Sequence, residues 1–367
     1  MTWNWQQKDW PHFRYDAKIV ADLERQFYQN SGHLLGTYQH VNKEDKDTLT
    51  VALISDEALK TSEIEGEFLD RYSVQSSIRR HLGLTNDTSK ILPAEDGIAK
   101  VIVDLYRNYE EPLTHEILFT WHRLITQGRR DLEFVGQYRA HGDPMQVISG
   151  AVHKPKIHFE APPSSSIPQE MKTFITWFNE SAPSGTHPLP ALTRASIAHL
   201  YFVCIHPFED GNGRIGRAIA EKALAQCLSA PSLIALSLTI QKNKKAYYDN
   251  LEKANKSNEV SGWLHYFSST LVQAQQSAQE WVNFLIQKTK LYDQFKDQLN
   301  PRQAKALARI FQEGPEGFQG GLSASNYKAI TKAPHATVTR DLKDLVEQGI
   351  FKQTGTFKST RYHLVLE

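Results

Sequence analysis

The sequence predicts a mainly α protein in which one short β-hairpin interrupts long helical stretches and a helix–helix–helix–hairpin module closes the chain. Three observations carry this. Apolar residues recur at three- and four-residue steps over most of the length, as in IVADLERQF and GIAKVIVDLYRNY, which is the period of a helix with one buried face. Between about Gly136 and Pro163 that period gives way to VISG and KIHF around a turn-rich centre. From Pro301 three helical segments lead into the alternating runs IFKQTG and STRYHLVL.

Taken in order, the first fifteen residues crowd five aromatics (Trp3, Trp5, Trp10, Phe13, Tyr15), expected to pin an N-terminal arm to the body by apolar contact. Helical pattern runs from about Asp16 to Leu35 and again over residues 46 to 80, until polar TNDTSK breaks it. In LTHEILFTWHRLI, Thr114 is placed to cap a helix start and Gly128 its end. After the hairpin, helices resume near Pro168, again at Leu192, then through LSLTIQKNKKAYYDNLEKANK and on to about Leu291. In the closing module Pro301 sits in the first turn of its helix and Gly349 ends the third helix, the order of a winged helix.

At 367 residues the chain exceeds a single core, so two or three domains are expected. With 40% hydrophobic and 23% charged residues and a net charge of +1, the composition is that of a soluble globular protein with no overall pull toward nucleic acid or membrane. Cys204 and Cys227 both lie in apolar helical context and lack the spacing of a zinc site or disulfide framework. No run nears the ~18 apolar residues of a membrane span, and the N-terminus has no basic leader, so a cytoplasmic location is expected.

The chemistry concentrates in CIHPFEDGNGRIGRAIAEKAL, residues 204 to 224. Gly211 and Gly213, either side of Asn212, expose successive backbone N–H groups without Cβ crowding, a nest that attracts anions at a helix start. Arg214 and Arg217, three residues apart, share a helix face and can reach one polyanion. Asp210 sits badly beside a bare phosphate and well beside one bridged by a hard cation such as Mg²⁺. His206 is the group that can take a proton near neutral pH. The alternative is a glycine-rich turn whose arginines and aspartate pair with each other around a buried histidine; the coincidence of all these features favours the anion site.

HPFEDGNGRIGR resembles the Fic signature, His-Pro-Phe-x-Asp-Gly-Asn-Gly-Arg-x-x-Arg, at every defining position. LTRASIAHLYFVCI is similar to the helix leading into the Fic loop, and GQYR with HFEAPP to the segment carrying the Fic flap, so the resemblance spans roughly residues 50 to 270. On it the chain divides into 1–95 (aromatic arm and an inhibitory helix at about 55–68), 96–285 (helical Fic core with its hairpin flap) and 286–367 (linker helix and winged-helix-like domain). The resemblance implies Mg²⁺-dependent AMP transfer from ATP to a Ser, Thr or Tyr hydroxyl of a protein. It assigns His206 as general base, Asp210 to Mg²⁺, Gly211, Asn212 and Gly213 to the phosphate cradle, Arg214 to phosphate charge and Arg217 to the γ-phosphate. Phe208 is expected to anchor the loop in the core. Tyr248, or its neighbour Tyr247, is placed on the adenine side, and Val147, Ile148 and Ile157 of the flap would dock the target by strand addition, with His153, Lys154 and Lys156 making it basic.

TSEIEG resembles the Fic inhibitory motif, with Thr61, Glu65 and Gly66 at the matching positions. By that resemblance Glu65 pairs with Arg217 and fills the space of the γ-phosphate, so basal activity is low. Rival expectations are removal of AMP, transfer of another phosphate-containing group, or a DNA-binding regulator with a nucleotide-sensing site. In the tail Thr337 or Thr339, Arg340, Lys343, Lys358 and Arg361 could meet DNA, yet the basic excess is modest and favours protein contact or support of a homodimer. Self-modification is expected alongside modification of a target protein.

Overall fold

The computed structural model describes every residue except 1, 88–89, 150–155, 296–297, 313, 316, 319 and 367. Among these the chain is mostly helical with two small antiparallel hairpins. The helices are α1 (Lys18–His40), α2 (Lys43–Ile64), α3 (Arg71–Leu82), α4 (Pro93–Arg107), α5 (His115–Ile125), α6 (Ile167–Glu180), α7 (Ala191–Ile205), α8 (Asn212–Leu228), α9 (Leu236–Lys242), α10 (Lys244–Ala254), α11 (Ser261–Phe295), α12 (Pro301–Gln312), α13 (Ala324–Thr331) and α14 (His335–Glu347). Strands β1 (Gln146–Ser149) and β2 (Lys156–Glu160) form the first hairpin, β3 (Phe351–Thr354) and β4 (Arg361–Leu364) the second. Two compact units result, one of residues 1–35 and 47–278, the other of 36–46 and 279–367.

The first unit is organised around α7 and α8. All of α7 except Val203 is buried, and so is α8 from Asn212 to Ala225 except Gly213, so neither has a solvent face. Gly216 allows the two backbones to approach: a Cβ there would lie 2.9 Å from Val203 Cγ1 and 3.1 Å from His199 Nδ1. His199 itself stacks on Phe267 at 4.8 Å and meets Tyr247 Oη through Nε2 at 2.8 Å, a core residue. The N-terminal aromatics pack where their composition predicts: Trp3 is edge-on to Phe159 at 5.4 Å and Trp10 to Tyr201 at 5.2 Å, while Trp5 Nε1 donates to the Glu160 carbonyl at 2.6 Å.

Two helices differ from expectation. The helix read through to about residue 68 stops at Ile64, because Gly66 turns into the left-handed region (φ 86°) and the Glu67 N–H closes back on the Ser62 carbonyl at 3.0 Å. The chain restarts as α3 once Asp70 caps it, accepting from the Ser73 N–H at 2.8 Å. The single helix read through LSLTIQKNKKAYYDNLEKANK breaks at Asn243 (φ −138°) into α9 and α10.

The hairpin pairs Val147 with Phe159 and Ile148 with Ile157, with a register shift between Val147 and Ile148 that uses one extra residue on β2. Its centre, including His153 and Lys154, lies outside the described residues. In the second unit Val338, Leu342 and Leu345 of α14 are buried, while Val346 is half-buried. Asp341 ties the helices together: it accepts from Arg302 Nε at 2.8 Å and from Tyr327 Oη at 3.2 Å. Among the described residues no helix is long and apolar enough to cross a membrane.

Candidate active site

The junction between α7 and α8 places the loop side chains around one centre. His206 caps α7 in the left-handed region (φ 52°, ψ 57°), a conformation costing a non-glycine residue about 1–3 kcal/mol and concentrated at functional sites. Its Nδ1 lies 3.2 Å from the Val203 carbonyl, which can only accept, so Nδ1 carries the proton and Nε2 keeps its lone pair. Burial pushes the imidazole down to about 4, leaving it neutral at physiological pH.

Phe208 is fully buried and stacks on His122 at 4.2 Å with nearly parallel rings. The Asn212 amide braces this loop, accepting from the Phe208 N–H at 2.9 Å and donating to its carbonyl at 2.8 Å. The Asn212 side chain is thereby committed, and only its N–H can face an anion. Gly211 (φ 81°) precedes α8, and a Cβ there would come within 2.6 Å of Ile125 Cδ1. The first-turn N–H groups of residues 212 to 214 have no acceptor within their own helix and point out of its N-terminus.

Arg217, Arg214 and Asp210 are each engaged by an opposite charge. Arg217, wholly buried, gives Nε to Thr61 Oγ1 and Nη2 to the Thr61 carbonyl, both at 2.8 Å, and lies 2.8 Å from Glu65 Oε1. Burial alone would lower its pKa, but the Glu65 carboxylate together with Tyr247 and Tyr248 raises it on balance and holds the guanidinium charged. Arg214 Nη1 meets Glu67 Oε2 at 2.6 Å. Asp210 Oδ2 meets Arg129 Nη1 at 2.6 Å and Arg214 Nη2 at 3.6 Å. Burial pushes the Asp210 carboxyl up, but Arg214, the Gly211 N–H and Arg129 together hold it below its ordinary value.

Glu65 lies on Gly213, where a Cβ would sit 2.1 Å from Glu65 Oε1, so the absent side chain at 213 is the space that the carboxylate fills. A cavity of about 440 Å³ opens beside this pair, lined by Glu65, His206, Gly213, Tyr247, Tyr248 and Phe159, and by Val147 and Ile148 of β1. Tyr248 Oη reaches to 3.5 Å from Glu65 Oε2. Ile157 pairs with Ile148 in the hairpin and stands outside that lining. Of the residues singled out in the sequence, the loop set, Thr61, Glu65, Gly66, Tyr248, Val147 and Ile148 therefore converge on one region.

Four further residues belong to this site and carried no signal of their own. Arg139 is buried, has no carboxylate partner among the described residues, and braces the loop through the His206 carbonyl at 2.8 Å, the Pro162 carbonyl at 2.6 Å and Ser164 Oγ at 2.8 Å. His122 accepts the Gly136 N–H at Nδ1 (2.8 Å) beneath Phe208. Arg129 and Glu67 are the counter-charges just described. The GQYR stretch held Arg139 in plain view, but only the fold reveals what it grips.

The donor set suits a bound polyphosphate: first-turn N–H groups, two arginines, and buried Arg214 Nε and Arg217 Nη1, which have no hydrogen-bond partner among the described residues. For a cation it offers the Asp210 carboxylate, and no cluster of three ligating side chains occurs among the described residues. A Mg²⁺ ion with one protein carboxylate, completing its shell from phosphate and water, is the ordinary arrangement for that ion.

The fold and loop thus define a helical protein with a glycine-flanked helix start, two arginines on its first turns and an adjacent neutral histidine. Residues 112–224 match the Fic/DOC family, and residues 3–84 match a domain of unknown function (DUF4172). A protein adenylyltransferase Fic of Nematostella vectensis is 28% identical over 145 residues, 40% of this chain and 29% of that protein. Another protein adenylyltransferase Fic, of Aedes aegypti, is 28% identical over 267 residues, 66% of this chain and 50% of the relative. The chain spans half or less of the length of these curated relatives. A crystal structure of a Fic family protein from Desulfovibrio desulfuricans G20 shares the fold with a TM-score of 0.53 at 19% identity, covering 97% of this chain and 98% of that one. Over residues 112–224 the chain is thus similar to the Fic/DOC family, and it shares its fold with a Fic family protein.

Proposed function

We propose that the protein transfers AMP from ATP to a hydroxyl side chain of a protein and that Glu65 holds this activity down. The observation that carries the reading is a cavity bordered by a neutral histidine, Gly213 and Glu65, the last of which pairs with the buried Arg217. Family resemblance supports a transferase that acts on nucleotides; the chemistry of the site supports the rest. The target hydroxyl attacks the α-phosphorus, His206 Nε2 takes its proton, a new P–O bond forms, and the bond to the β-phosphate oxygen breaks to release pyrophosphate. The N–H groups at the start of α8, with Arg214 and Arg217, receive the charge that moves onto phosphate oxygens. Asp210 would hold Mg²⁺, which when bound neutralises phosphate charge. Val147 and Ile148 of β1 would align an extended target segment over His206 by strand addition. Tyr248 would pack against the nucleobase. A homodimer, and self-modification, are parts of the same reading.

The reaction class is tested by the position of the label. The Glu65→Gly variant incubated with ATP labelled on the α-phosphate should acquire label, the γ-labelled nucleotide should leave none, and the adduct mass should be that of AMP. Label from the γ-phosphate alone would instead identify a phosphoryl transfer and overturn the proposal. Because Glu65 lines the same cavity as His206, it could also orient water for removal of AMP, which release of AMP from a labelled target would reveal.

Arg129 takes the same Asp210 oxygen that a cation would need, at 2.6 Å. We expect Arg129→Gln to lower the Mg²⁺ concentration for half-maximal nucleotide binding, by up to about fivefold, the range of a partly exposed ion pair. Titration calorimetry at fixed ATP and varied Mg²⁺ reads this directly. An unchanged midpoint removes Arg129 as a competitor.

We read the second unit's three helices and β3–β4 hairpin as a winged helix that serves protein contact rather than DNA. Lys343 pairs with Glu347 at 3.5 Å, which reduces the positive charge α14 offers a phosphate backbone. The Lys358 side chain lies outside the described residues.

A further inference from the structure

The turn that ends α2 carries two carboxylates, and the structure uses both. Glu65 and Glu67 flank Gly66, whose left-handed backbone sends the chain back over the helix end. Glu65 meets Arg217 and Glu67 meets Arg214, so one turn holds both arginines of the loop. Arg214 and Arg217 are three residues apart on α8, and the two carboxylates are two residues apart across the turn. The Arg214 side chain is 5% exposed and that of Glu67 is 35% exposed, so the arginine is fixed in the core while its partner sits at the rim, open to displacement. Arg214 is anchored from behind by the Ile125 carbonyl at 3.3 Å, which keeps the guanidinium in place when the carboxylate leaves.

We propose that Glu67 is a second lock on the nucleotide site, competing with a polyphosphate for Arg214 as Glu65 competes for Arg217. This rests on the nucleotide reading given above and adds to it a residue outside the TSEIEG stretch. Without ligand each guanidinium faces carboxylate: Arg217 meets Glu65, Arg214 meets Glu67 and lies 3.6 Å from Asp210, and Arg129 is shared between Asp210 and Asp131. A triphosphate brings its own charge and competes with both carboxylates for the two arginines. Release of Glu65 alone would leave Arg214 still paired, so full affinity for the phosphate chain requires the whole turn to withdraw. Gly66 is the hinge: a Cβ there has nothing within 4 Å, yet φ 86° strains any other residue, so a substitution acts on the turn's backbone and on no neighbour.

The test measures ATP and adenosine binding by calorimetry in the full chain, comparing wild type with Glu67→Gln, Glu65→Gly, the double variant and Gly66→Ala. Glu67→Gln keeps the shape and removes the charge. We expect it to tighten ATP about fivefold or more and to leave adenosine unchanged, because only the phosphate chain competes for Arg214. The double variant should bind ATP more tightly than either single one, and Gly66→Ala should move ATP affinity in the same direction while keeping both carboxylates. If Glu65→Gly tightens ATP and Glu67→Gln does not, Glu67 merely packs the end of α2 and the second lock is overturned. If Glu67→Gln tightens adenosine equally, the effect is a general opening of the cavity, and the proposal again falls. If neither variant alters ATP binding, the nucleotide reading itself fails. Thermal unfolding of each variant separates these outcomes from loss of fold, and Glu67→Ala, which removes the side chain entirely, replaces Glu67→Gln should that variant not fold.

Discussion

Glu65→Gly is expected to raise incorporation of label from ATP by at least about tenfold over wild type, because it removes a carboxylate from the place where phosphate must lie. The physical basis is local. Glu65 Oε1 sits where a Cβ of Gly213 would be and 2.8 Å from Arg217, so it holds both the space and the cation that the end of a polyphosphate needs. Arg217 is wholly buried, and losing its partner leaves a guanidinium held only by Thr61 among the contacts described above. The ligand-free variant should therefore unfold at a lower temperature than wild type, by about 1–3 kcal/mol of stability, and ATP should restore the loss. Labelling and melting curves with and without ATP measure both halves. A variant that labels no faster than wild type while binding ATP normally would exclude Glu65 as the restraint.

His206→Ala in the Glu65→Gly background should reduce transfer by about a thousandfold, within the range of a lost general base, while ATP affinity changes little. The separation follows from position. His206 borders the cavity at the end of α7, whereas the phosphate donors belong to α8 and its first turn. Nε2 is the acceptor because Nδ1 is committed to the Val203 carbonyl. The pH profile gives an independent check. With its pKa pushed down to about 4 by burial, the imidazole accepts a proton throughout the neutral range, and the rate should fall on the acid side as the ring charges near that value. The same shift acts on stability. The unfolded histidine binds its proton near 6.5 and the folded one near 4, so the unfolded state holds more protons between these values and His206 makes the fold less stable as pH falls from about 6.5 to about 4. Transfer that persists in His206→Ala would exclude it as the base.

How much of this was legible follows from sequence distance. The loop could be read because its parts lie within twelve residues, close enough for spacing alone to put Arg214 and Arg217 on one face and to set two glycines around Asn212. The helices could be read for the same reason, since their period repeats every turn. The end of α2 was misjudged because helical pattern continues past Ile64 in the residue order, while Gly66 and the capping Asp70 act through backbone geometry. Arg139, His122, Arg129 and Glu67 gave no local sign. Their partners stand 67, 14, 81 and 147 residues away, and a lone arginine or glutamate in a mixed stretch looks the same whether it grips a loop or faces water.

Residue order therefore decided the helical chain, its hairpin and one loop that sets two glycines around Asn212 and two arginines on one face, because those features depend on neighbours in the chain. Which charges answer that loop was decided only by folding. Glu65, Glu67 and Arg129 meet Arg217, Arg214 and Asp210 because the packing of α2 and α5 against α8 brings distant segments within hydrogen-bonding distance. Local periodicity encodes faces and turns, but the pairing of two buried or half-buried charges is set by where the core places them, and that is a property of the tertiary structure.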